Sequence, residues 1–222
     1  MSESEGGRGD RASILIMARA PRPGQVRQAL EPVLGEARCA ALQTELISQT
    51  TRWAEDVAPG PVFVAYEPPD AASELRQLIG NGTLFPQNGD GVAGRLADGI
   101  ARVFKHARGP LLIVWPDLPR LPLEHGDAAL GDLEAGCDLV LGPAIDGGFY
   151  LIAINKPLPE LFALSEAIWR SPDVMGLALA AAREAGLEVG ILRPERALHR
   201  PADIRAALAD PLLGPRLRAI IA

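Results

Sequence analysis

Short apolar runs alternate with longer amphipathic segments along the chain. Three of the runs are almost entirely apolar, at residues 13–17, 62–66 and 111–115. Apolar runs of roughly four to eight residues predict buried strands. Further runs predict strands at residues 83–85, 138–142, 149–154 and 187–192. Together they predict about six or seven strands, a usual number for one sheet.

Between these runs, apolar residues recur at steps of three or four, which places them on one face of a helix. The pattern is clearest at Cys39, Leu42, Leu46, Thr50 and Trp53, and again at Val92, Leu96, Ile100 and Val103. Strands that are separated by helices predict an α/β protein with three layers, in which helices cover both faces of a mostly parallel sheet.

Length and composition favour a single domain over residues 12–222, preceded by a disordered tail at residues 1–11. The tail lacks the features of a signal peptide and no apolar run reaches membrane-spanning length, so we expect a soluble, cytoplasmic protein. The net charge of −6 is spread without long runs of one sign, which argues against nucleic acid as a partner. Cys39 and Cys137 lie in apolar segments, which favours buried free thiols.

In sheets of this class, ligands bind at the carboxyl ends of the strands. The residues that directly follow the predicted strands are therefore the candidates for a functional site. Three such segments contain glycine, proline and charged residues together, at residues 18–30, 115–121 and 142–148.

The first of these segments is a loop with three arginines, two prolines and a glycine at residues 18–27. Guanidinium groups match phosphate oxygens, and prolines reduce the entropy that a loop loses when it closes on a ligand. The loop therefore predicts phosphate binding by Arg19 and Arg27, with Ala18 and Gly24 as further contacts. An alternative is that the arginines serve only solubility.

The second segment places one carboxylate, Asp117, between Pro116 and Pro119 at the end of a predicted strand. Magnesium needs only one or two protein carboxylates when phosphate oxygens complete its shell, so Asp117 is a candidate metal ligand and catalytic residue. An aspartate beside a proline is also common in plain turns.

The third segment places Asp146 among Gly142, Gly147 and Gly148 after another apolar run. Glycines allow a ligand to approach the backbone closely, and the Asp146 carboxylate, the second candidate catalytic residue, can accept hydrogen bonds from a sugar or a similar polyol. The alternative is a structural turn in which the aspartate binds its own backbone.

These segments also carry a family resemblance. The matching motifs are Ile-Met-Ala-Arg-Ala-Pro-Arg-Pro-Gly at residues 16–24, Asp-Leu-Pro at 117–119 and Leu-Gly-Pro-Ala-Ile-Asp-Gly-Gly-Phe-Tyr-Leu at 141–151, with weaker matches at 168–169 and 201–204. Over roughly residues 13–206 the chain resembles a divergent member of a bacterial family of GT-A-like glycosyltransferases that includes arsenosugar-biosynthesis types. It is also similar to the phospholactate guanylyltransferases of deazaflavin cofactor synthesis.

The resemblance implies a Rossmann-like GT-A fold, a nucleotide diphosphate donor and a divalent cation, magnesium or manganese. It also implies that Asp117 faces the cation and that Asp146 faces the transferred group or the acceptor, and it adds Pro143 and Trp169 as substrate contacts. The implied partners are a nucleotide or nucleotide-sugar donor and a small-molecule acceptor, with a homodimer left open.

The chain departs from the family pattern at two charged positions. The loop at residues 24–30 keeps one of two expected cations, Arg27, which weakens the expected phosphate grip. His199 stands where the family has a carboxylate that would complete the metal site. A neutral imidazole suits manganese or zinc better than magnesium. The alternative is that the metal site has been lost and His199 is a surface or capping residue.

These observations favour glycosyl transfer from a nucleotide sugar. Two alternatives stay open: nucleotidyl transfer, and a catalytically inactive relative that serves as a binding or partner protein. In either transfer reaction negative charge develops on phosphate oxygens, so we expect catalysis by positioning and charge neutralisation. The sequence singles out no general base.

Overall fold

The apolar runs form the seven strands of a single sheet in the computed structural model. The structure describes residues 11–58, 60–158, 165–169 and 171–222. The strands are β1 (Ser13–Arg19), β2 (Val62–Glu67), β3 (Thr83–Pro86), β4 (Leu111–Val114), β5 (Leu139–Pro143), β6 (Phe149–Ile154) and β7 (Val189–Ile191). The predicted disordered tail, apart from its last residue, lies outside the described part of the chain.

The strands pair in the order β3-β2-β1-β4-β6-β5-β7. β1 is parallel to β2 and β4, β2 is parallel to β3, and β5 is parallel to β7, whereas β6 runs antiparallel to both of its neighbours. Residues 144–148 alone join β5 to β6, and so short a connection permits a hairpin but no parallel crossover. The prediction of a mostly parallel mixed sheet is confirmed.

Helices cover both faces of the sheet. The described helices are α1 (Glu31–Leu34), α2 (Glu36–Val57), α3 (Ala72–Ile79), α4 (Gly91–His106), α5 (Leu123–Glu134), α6 (Glu166–Trp169), α7 (Val174–Glu184), α8 (Pro201–Ala209) and α9 (Pro215–Ile221), with a 3-10 turn at Gln28–Leu30. α2, α3 and α5 pack with Ile14 and Ile16 of β1 on one face, and α4 and α7 pack with Leu15 and Met17 on the other. The predicted three-layer α/β architecture is therefore confirmed.

A third apolar cluster, which we call the outer cluster, lies on the side of α2 that faces away from the sheet. There Leu42 and Leu46 of α2 pack with Leu198 and with apolar residues of α8 and α9. Leu198 is completely buried. Because burial of Leu198 anchors the segment before α8, this cluster determines where the next residue, His199, is held.

Two smaller expectations can be compared with the structure. Both cysteines are free thiols, and Cys39 is buried as predicted while Cys137 is only half-buried. Within the described residues, none of the helices combines the length and apolar character that a bilayer crossing requires. The assignment of residues 12–222 to one domain stays a prediction.

Candidate functional site

A cleft of about 440 Å³ opens at the carboxyl edge of the parallel strands. Its walls come from the end of β1, the loop at residues 26–29, the last residue of β2, the first turns of α4, residues 115–117 after β4, and residues 198–199. Chain segments that are far apart in sequence therefore meet at one edge, where ligands bind in sheets of this class.

Arg27 lies at the centre of this edge, and its side chain is only 7% exposed. Its Nε donates to Gln43 Oε1 at 2.8 Å, its Nη1 to the Leu198 carbonyl at 3.0 Å, and its Nη2 to Asp117 Oδ1 at 2.7 Å. Nη2 also donates to the Pro116 carbonyl at 2.6 Å. All three nitrogens thus have protein acceptors, so Arg27 ties three segments of the site together.

His199 lies between the two aspartates that the sequence singled out. Its Nε2 is 3.3 Å from Asp117 Oδ2, and its Nδ1 is 2.5 Å from Asp146 Oδ2. The imidazole therefore bridges the two carboxylates, and Arg27 holds the other oxygen of Asp117. The four side chains form an alternating row of positive and negative groups, which we call the charge row: Arg27, Asp117, His199 and Asp146.

These contacts change the acidity of the charge row. Hydrogen bonds to Asp117 and then to Asp146 raise the pKa of His199 from 6.5 to about 10. Burial alone would raise the pKa of Asp117, but the charge of Arg27 and the hydrogen bond from His199 outweigh it and lower that pKa to about 2. The hydrogen bond from His199 also lowers the pKa of Asp146. At neutral pH, His199 and both aspartates are therefore charged.

Asp146 sits in the hairpin turn between β5 and β6. Its Oδ1 accepts a hydrogen bond from the Gly148 backbone N–H at 3.2 Å, the local turn contact that was one alternative for this residue. Its Oδ2 faces His199, so one carboxylate serves both the turn and the site. Gly147 has a φ of +98°, and a Cβ there would lie 2.1 Å from the Pro172 carbonyl oxygen. Only glycine fits this position without a shift of the turn.

Two other residues predicted to bind substrate have structural contacts in β5. A Cβ on Gly142 would lie 2.6 Å from the ring of Tyr150, so this glycine makes room for that ring. The carbonyl of Pro143 accepts a hydrogen bond from the Glu195 backbone N–H at 3.0 Å. Their predicted contact with substrate stays a prediction.

The predicted phosphate-binding loop at residues 18–27 divides into two parts. Ala18 and Arg19 line the cleft, and Arg19, with a side chain 53% exposed, pairs with Glu67 at 2.7 Å. Gly24 has a positive φ of +71°, and its carbonyl accepts a hydrogen bond from Gln28 Nε2 at 2.9 Å. Gly24 therefore shapes the loop, whereas Arg19 presents a cation to the cleft.

A second, smaller compartment of about 140 Å³ adjoins the cleft at Val92, Trp115 and Asp117. Its remaining walls are Gly148, Phe149, Trp169 and Val174. The rings of Phe149 and Trp169 meet edge to face with centroids 6.1 Å apart. We call this space the aromatic compartment. Trp169, predicted as a substrate contact, belongs to it.

Arg95 is a cleft residue that the sequence analysis missed. It lies in the second turn of α4, is half-buried and lines the cleft. Within the described residues, the Arg95 side chain makes no hydrogen bond and no ion pair. The helical period places it near the start of α4, yet in the sequence it is one of many charged helix residues, so no sequence signal distinguishes it.

The two remaining histidines, His106 and His125, differ in environment. Because neither residue has a ligand-like neighbour in the sequence, the expectation from sequence is that both lie exposed on the surface, and this holds for His106. For His125 the expectation was wrong, because this residue is 6% exposed and its Nε2 is 2.9 Å from Glu195 Oε1. Its ring also packs against Tyr150 with centroids 5.3 Å apart. Glu195 follows His125 by 70 positions, a separation that sequence periodicity cannot connect.

The charge row is a poor fit for a divalent cation. Magnesium and manganese need carboxylate oxygens whose lone pairs are free to coordinate. Here one Asp117 oxygen is held by a guanidinium, the other faces an imidazole nitrogen, and one Asp146 oxygen faces the second imidazole nitrogen. In the described part of the chain, no group of three or more His, Cys, Asp or Glu side chains is arranged to hold a metal ion.

The fold and the cleft at its strand edge define a GT-A-like protein, in the fold class of the nucleotide-diphospho-sugar transferases. A family model described as uncharacterized protein conserved in bacteria, DUF2064, matches residues 50–167, more than half of the 222-residue chain. The chain belongs to this family. No curated protein matches the sequence.

Several solved structures share this fold. A protein of Desulfovibrio desulfuricans G20, described as a candidate nucleotide-diphospho-sugar transferase, is 24% identical with a TM-score of 0.84, and the match covers 95% of this chain and 93% of that one. A 4-diphosphocytidyl-2C-methyl-D-erythritol synthase is 12% identical with a TM-score of 0.58, covering 96% and 99%. The CMP:2-keto-3-deoxy-manno-octonic acid synthetase bound to CTP is 14% identical with a TM-score of 0.57, covering 90% and 98%.

Proposed function

We propose that this protein is a transferase that binds a nucleotide diphosphate donor in the cleft and transfers the donor's sugar to a small-molecule acceptor. The observation that carries the proposal is the meeting of Arg19, Arg95 and the charge row at the carboxyl edge of the sheet. A cleft of about 440 Å³ falls within the range of pockets that hold small ligands and cofactors.

Arg19 and Arg95 supply the positive charge for the donor phosphates. Arg95 has no partner among the described residues, and Arg19 has only a half-exposed ion pair with Glu67, so both guanidinium groups can turn to a ligand. Arg27 does not share this role, because its nitrogens already bind protein acceptors. Arg27 is instead a positioning residue that holds Asp117 and the loop before α1.

In this proposal, the aromatic compartment is the binding site of the acceptor. It shares Asp117 with the cleft, so an acceptor held there lies beside the donor's transferred group. The ring faces of Trp115, Phe149 and Trp169 suit the apolar face of a small ring-shaped molecule. In the reaction, a bond from an acceptor hydroxyl oxygen to the sugar carbon forms as the bond from that carbon to the diphosphate oxygen breaks, and the hydroxyl proton is released to water. Arg19 and Arg95 then stabilise the charge that is left on the diphosphate.

Nucleotidyl transfer is the second candidate. Two of the proteins with this fold are a synthetase solved with CTP and a diphosphocytidyl synthase, and both match over nearly their whole length. In that reaction the cleft would hold a nucleoside triphosphate, and the acceptor phosphate would displace pyrophosphate. We prefer glycosyl transfer because the structure with the higher TM-score, 0.84, is the one described as a candidate nucleotide-diphospho-sugar transferase.

A ligand screen followed by product analysis tests the proposal. We expect one or more of UDP, GDP, CDP and their sugar conjugates to raise the melting temperature of the purified protein, since a ligand that binds only the folded state stabilises it. Hydrolysis or transfer of the bound nucleotide sugar, followed by release of the nucleoside diphosphate, would support glycosyl transfer. Pyrophosphate release from a triphosphate would favour the second candidate. Binding without turnover of any acceptor or donor would favour the inactive binding protein.

Arg95→Ala, with Lys105→Ala as its control, tests whether the cleft is the binding site. Both changes remove one positive charge from α4, but Lys105 is exposed in the last turn and outside the cleft. We expect Arg95→Ala to weaken nucleotide binding about ten-fold or more, the effect of losing one charge-assisted hydrogen bond. Lys105→Ala should leave the dissociation constant unchanged. Equal effects of the two variants would contradict the proposed position of the phosphates.

A further inference from the structure

A nucleotide donor in this cleft brings negative phosphate charge close to the aspartates of the charge row, and this charge must be neutralised. Divalent cations commonly do so where one or two carboxylates can hold the ion against the phosphates. In this protein Asp117 and Asp146 lie at the carboxyl edge of the sheet, where such an ion would bind, but both carboxylates face cationic or N–H groups of the protein itself. The two carboxylates are thus occupied from within the chain.

Arg27 makes this occupation permanent. A guanidinium group stays protonated under all conditions in which proteins fold, so it cannot give up its charge to admit a metal ion. It is also held by Gln43 and by the Leu198 carbonyl, at 2.8 and 3.0 Å, and its side chain is 7% exposed. Arg27 therefore cannot swing into solvent without losing contacts with three other segments.

His199 blocks the other side of the same carboxylate. The imidazole ring stands between Asp117 and Asp146 and directs one nitrogen to each. Two contacts hold the backbone at His199. The preceding residue, Leu198, is buried in the outer cluster, and the His199 backbone N–H donates to Asp203 Oδ2 at 3.2 Å. A cation that used both aspartates would have to displace this ring.

We infer that this protein binds its nucleotide donor without a divalent cation, because His199 takes the place of the ion between Asp117 and Asp146 and Arg27 holds the other oxygen of Asp117. The inference rests on the proposed nucleotide-binding function and adds to it that Arg19 and Arg95, without an ion, neutralise the donor phosphates. The inference also predicts the effect of the opposite change: replacing the His199 imidazole with a carboxylate puts three acids beside one arginine. Such a cluster attracts a hard divalent cation.

Titration with manganese alone tests the inference without reference to any nucleotide. We expect the wild-type protein to show no saturable Mn²⁺ binding by electron paramagnetic resonance at up to about 1 mM, whereas the chosen variant, His199→Asp, binds Mn²⁺ at least about ten-fold more tightly. The matched control is His199→Asn, which has the shape of the aspartate without its charge. Because it removes the imidazole from between Asp117 and Asp146, it should bind Mn²⁺ more tightly than the wild type but less tightly than His199→Asp. Thermal unfolding of each variant establishes that it is folded.

Saturable Mn²⁺ binding by the wild-type protein that disappears in Asp117→Asn would overturn the inference. Equal Mn²⁺ affinities of the wild type and of folded His199→Asp and His199→Asn would do the same, since the position would then have no control over the ion.

Nucleotide titration separates the inference from the proposed function. With UDP, GDP and CDP as probes, we expect the dissociation constant of any nucleotide that binds the wild type to agree within about three-fold between EDTA and MnCl₂. His199→Asp should instead bind more tightly with Mn²⁺. Binding by the wild type only with Mn²⁺ would refute the inference and leave the proposed function standing. Failure of all nucleotides would refute the proposed function, and the manganese titration alone would then decide the inference.

Discussion

Arg27 is a charged side chain that is almost completely withdrawn from water. Its backbone has a φ of +55°, the left-handed conformation that non-glycine residues seldom adopt. Such strain persists only where the surroundings determine the conformation. Here the side-chain contacts with Gln43, Asp117 and the Leu198 carbonyl do so. The residue is therefore held in place by the site that it organises.

Arg27→Met should destabilise the fold by about 3–5 kcal/mol, because it leaves the Asp117 carboxylate without its buried partner. Methionine keeps much of the volume of the side chain and removes only the charge and its hydrogen bonds. The free energy of unfolding, measured by urea denaturation, tests this. Arg19→Met is the control, since its ion pair is half-exposed and should contribute no more than about 1 kcal/mol. Similar losses for both variants would show that Arg27 is not a buried ion partner.

His199 should remain protonated well above neutral pH. Its folded pKa of about 10 lies above the ordinary 6.5, so its ion pairs contribute their full stability below pH 6.5 and lose it as the pH rises through 10. An NMR titration of the imidazole should show no deprotonation at pH 8. Asp117→Asn should lower this pKa, because the hydrogen bond to Asp117 is the largest cause of its increase.

Asp56→Asn is the matched control for that titration. Asp56 is exposed in the last turn of α2, about 20 Å along the helix from Gln43, and its loss should leave the His199 titration unchanged. The contribution of Asp117 to stability depends on pH in the opposite direction from that of His199. The pKa of Asp117 is lowered from 3.8 to about 2, so its contribution to stability is present above pH 3.8 and is lost as the pH falls towards 2.

Sequence reasoning named all four residues of the charge row but not their contacts. Because strand ends share one edge of a parallel sheet, Asp117 and the arginine loop could be placed near each other. Which side chain faces which depends on packing between residues far apart in the chain, such as Arg27 and Leu198, 171 positions apart. The same applies to His125 and Glu195. Sequence periodicity predicts which residues are neighbours within a helix or strand, whereas these contacts depend on the assembled fold.

At the scale of elements, the hairpin between β5 and β6 positions Asp146. The apolar runs predicted both strands, but periodicity alone carries no information about strand direction. The direction follows from the length of the connection, since residues 144–148 are too few for a crossover. The turn is closed by hydrogen bonds from Ala144 N–H to the Gly148 carbonyl at 2.8 Å and from Gly147 N–H to the Ala144 carbonyl at 2.9 Å.

Gly147→Ala should disturb this turn, whereas Gly148→Ala should not. Alanine at position 147 would have a φ of +98° and a Cβ 2.1 Å from the Pro172 carbonyl oxygen, so we expect a loss of about 1–3 kcal/mol. At position 148, the nearest atom to an added Cβ is Asp146 Oδ1 at 3.5 Å, an ordinary contact. Urea denaturation measures both losses. If Gly147→Ala were as stable as the wild type, the close approach to Pro172 would not be a feature of the folded protein.

Across the whole molecule, the two clusters that face the sheet and the outer cluster support different parts of the site. The two sheet-facing clusters fix the strands and so the edge at which the cleft opens. The outer cluster packs α8 and α9 against α2 and holds the residue before His199. Arg218 of α9 adds to this by donating to the carbonyls of Leu208 and Asp210 at 2.8 and 2.7 Å. The C-terminal helices are therefore part of the support of the charge row.

Leu217→Ala tests that support. Leu217 is completely buried in the outer cluster, and its truncation should lower the free energy of unfolding by about 2–5 kcal/mol. Leu212→Ala removes the same atoms from a side chain that is 64% exposed, and surface changes of this kind stay within about 0.5 kcal/mol. Since Leu198 packs in the same cluster as Leu217, the His199 imidazole resonance should shift in Leu217→Ala and stay in place in Leu212→Ala. An unshifted resonance in a destabilised Leu217→Ala protein would show that the outer cluster stabilises the fold without positioning the site.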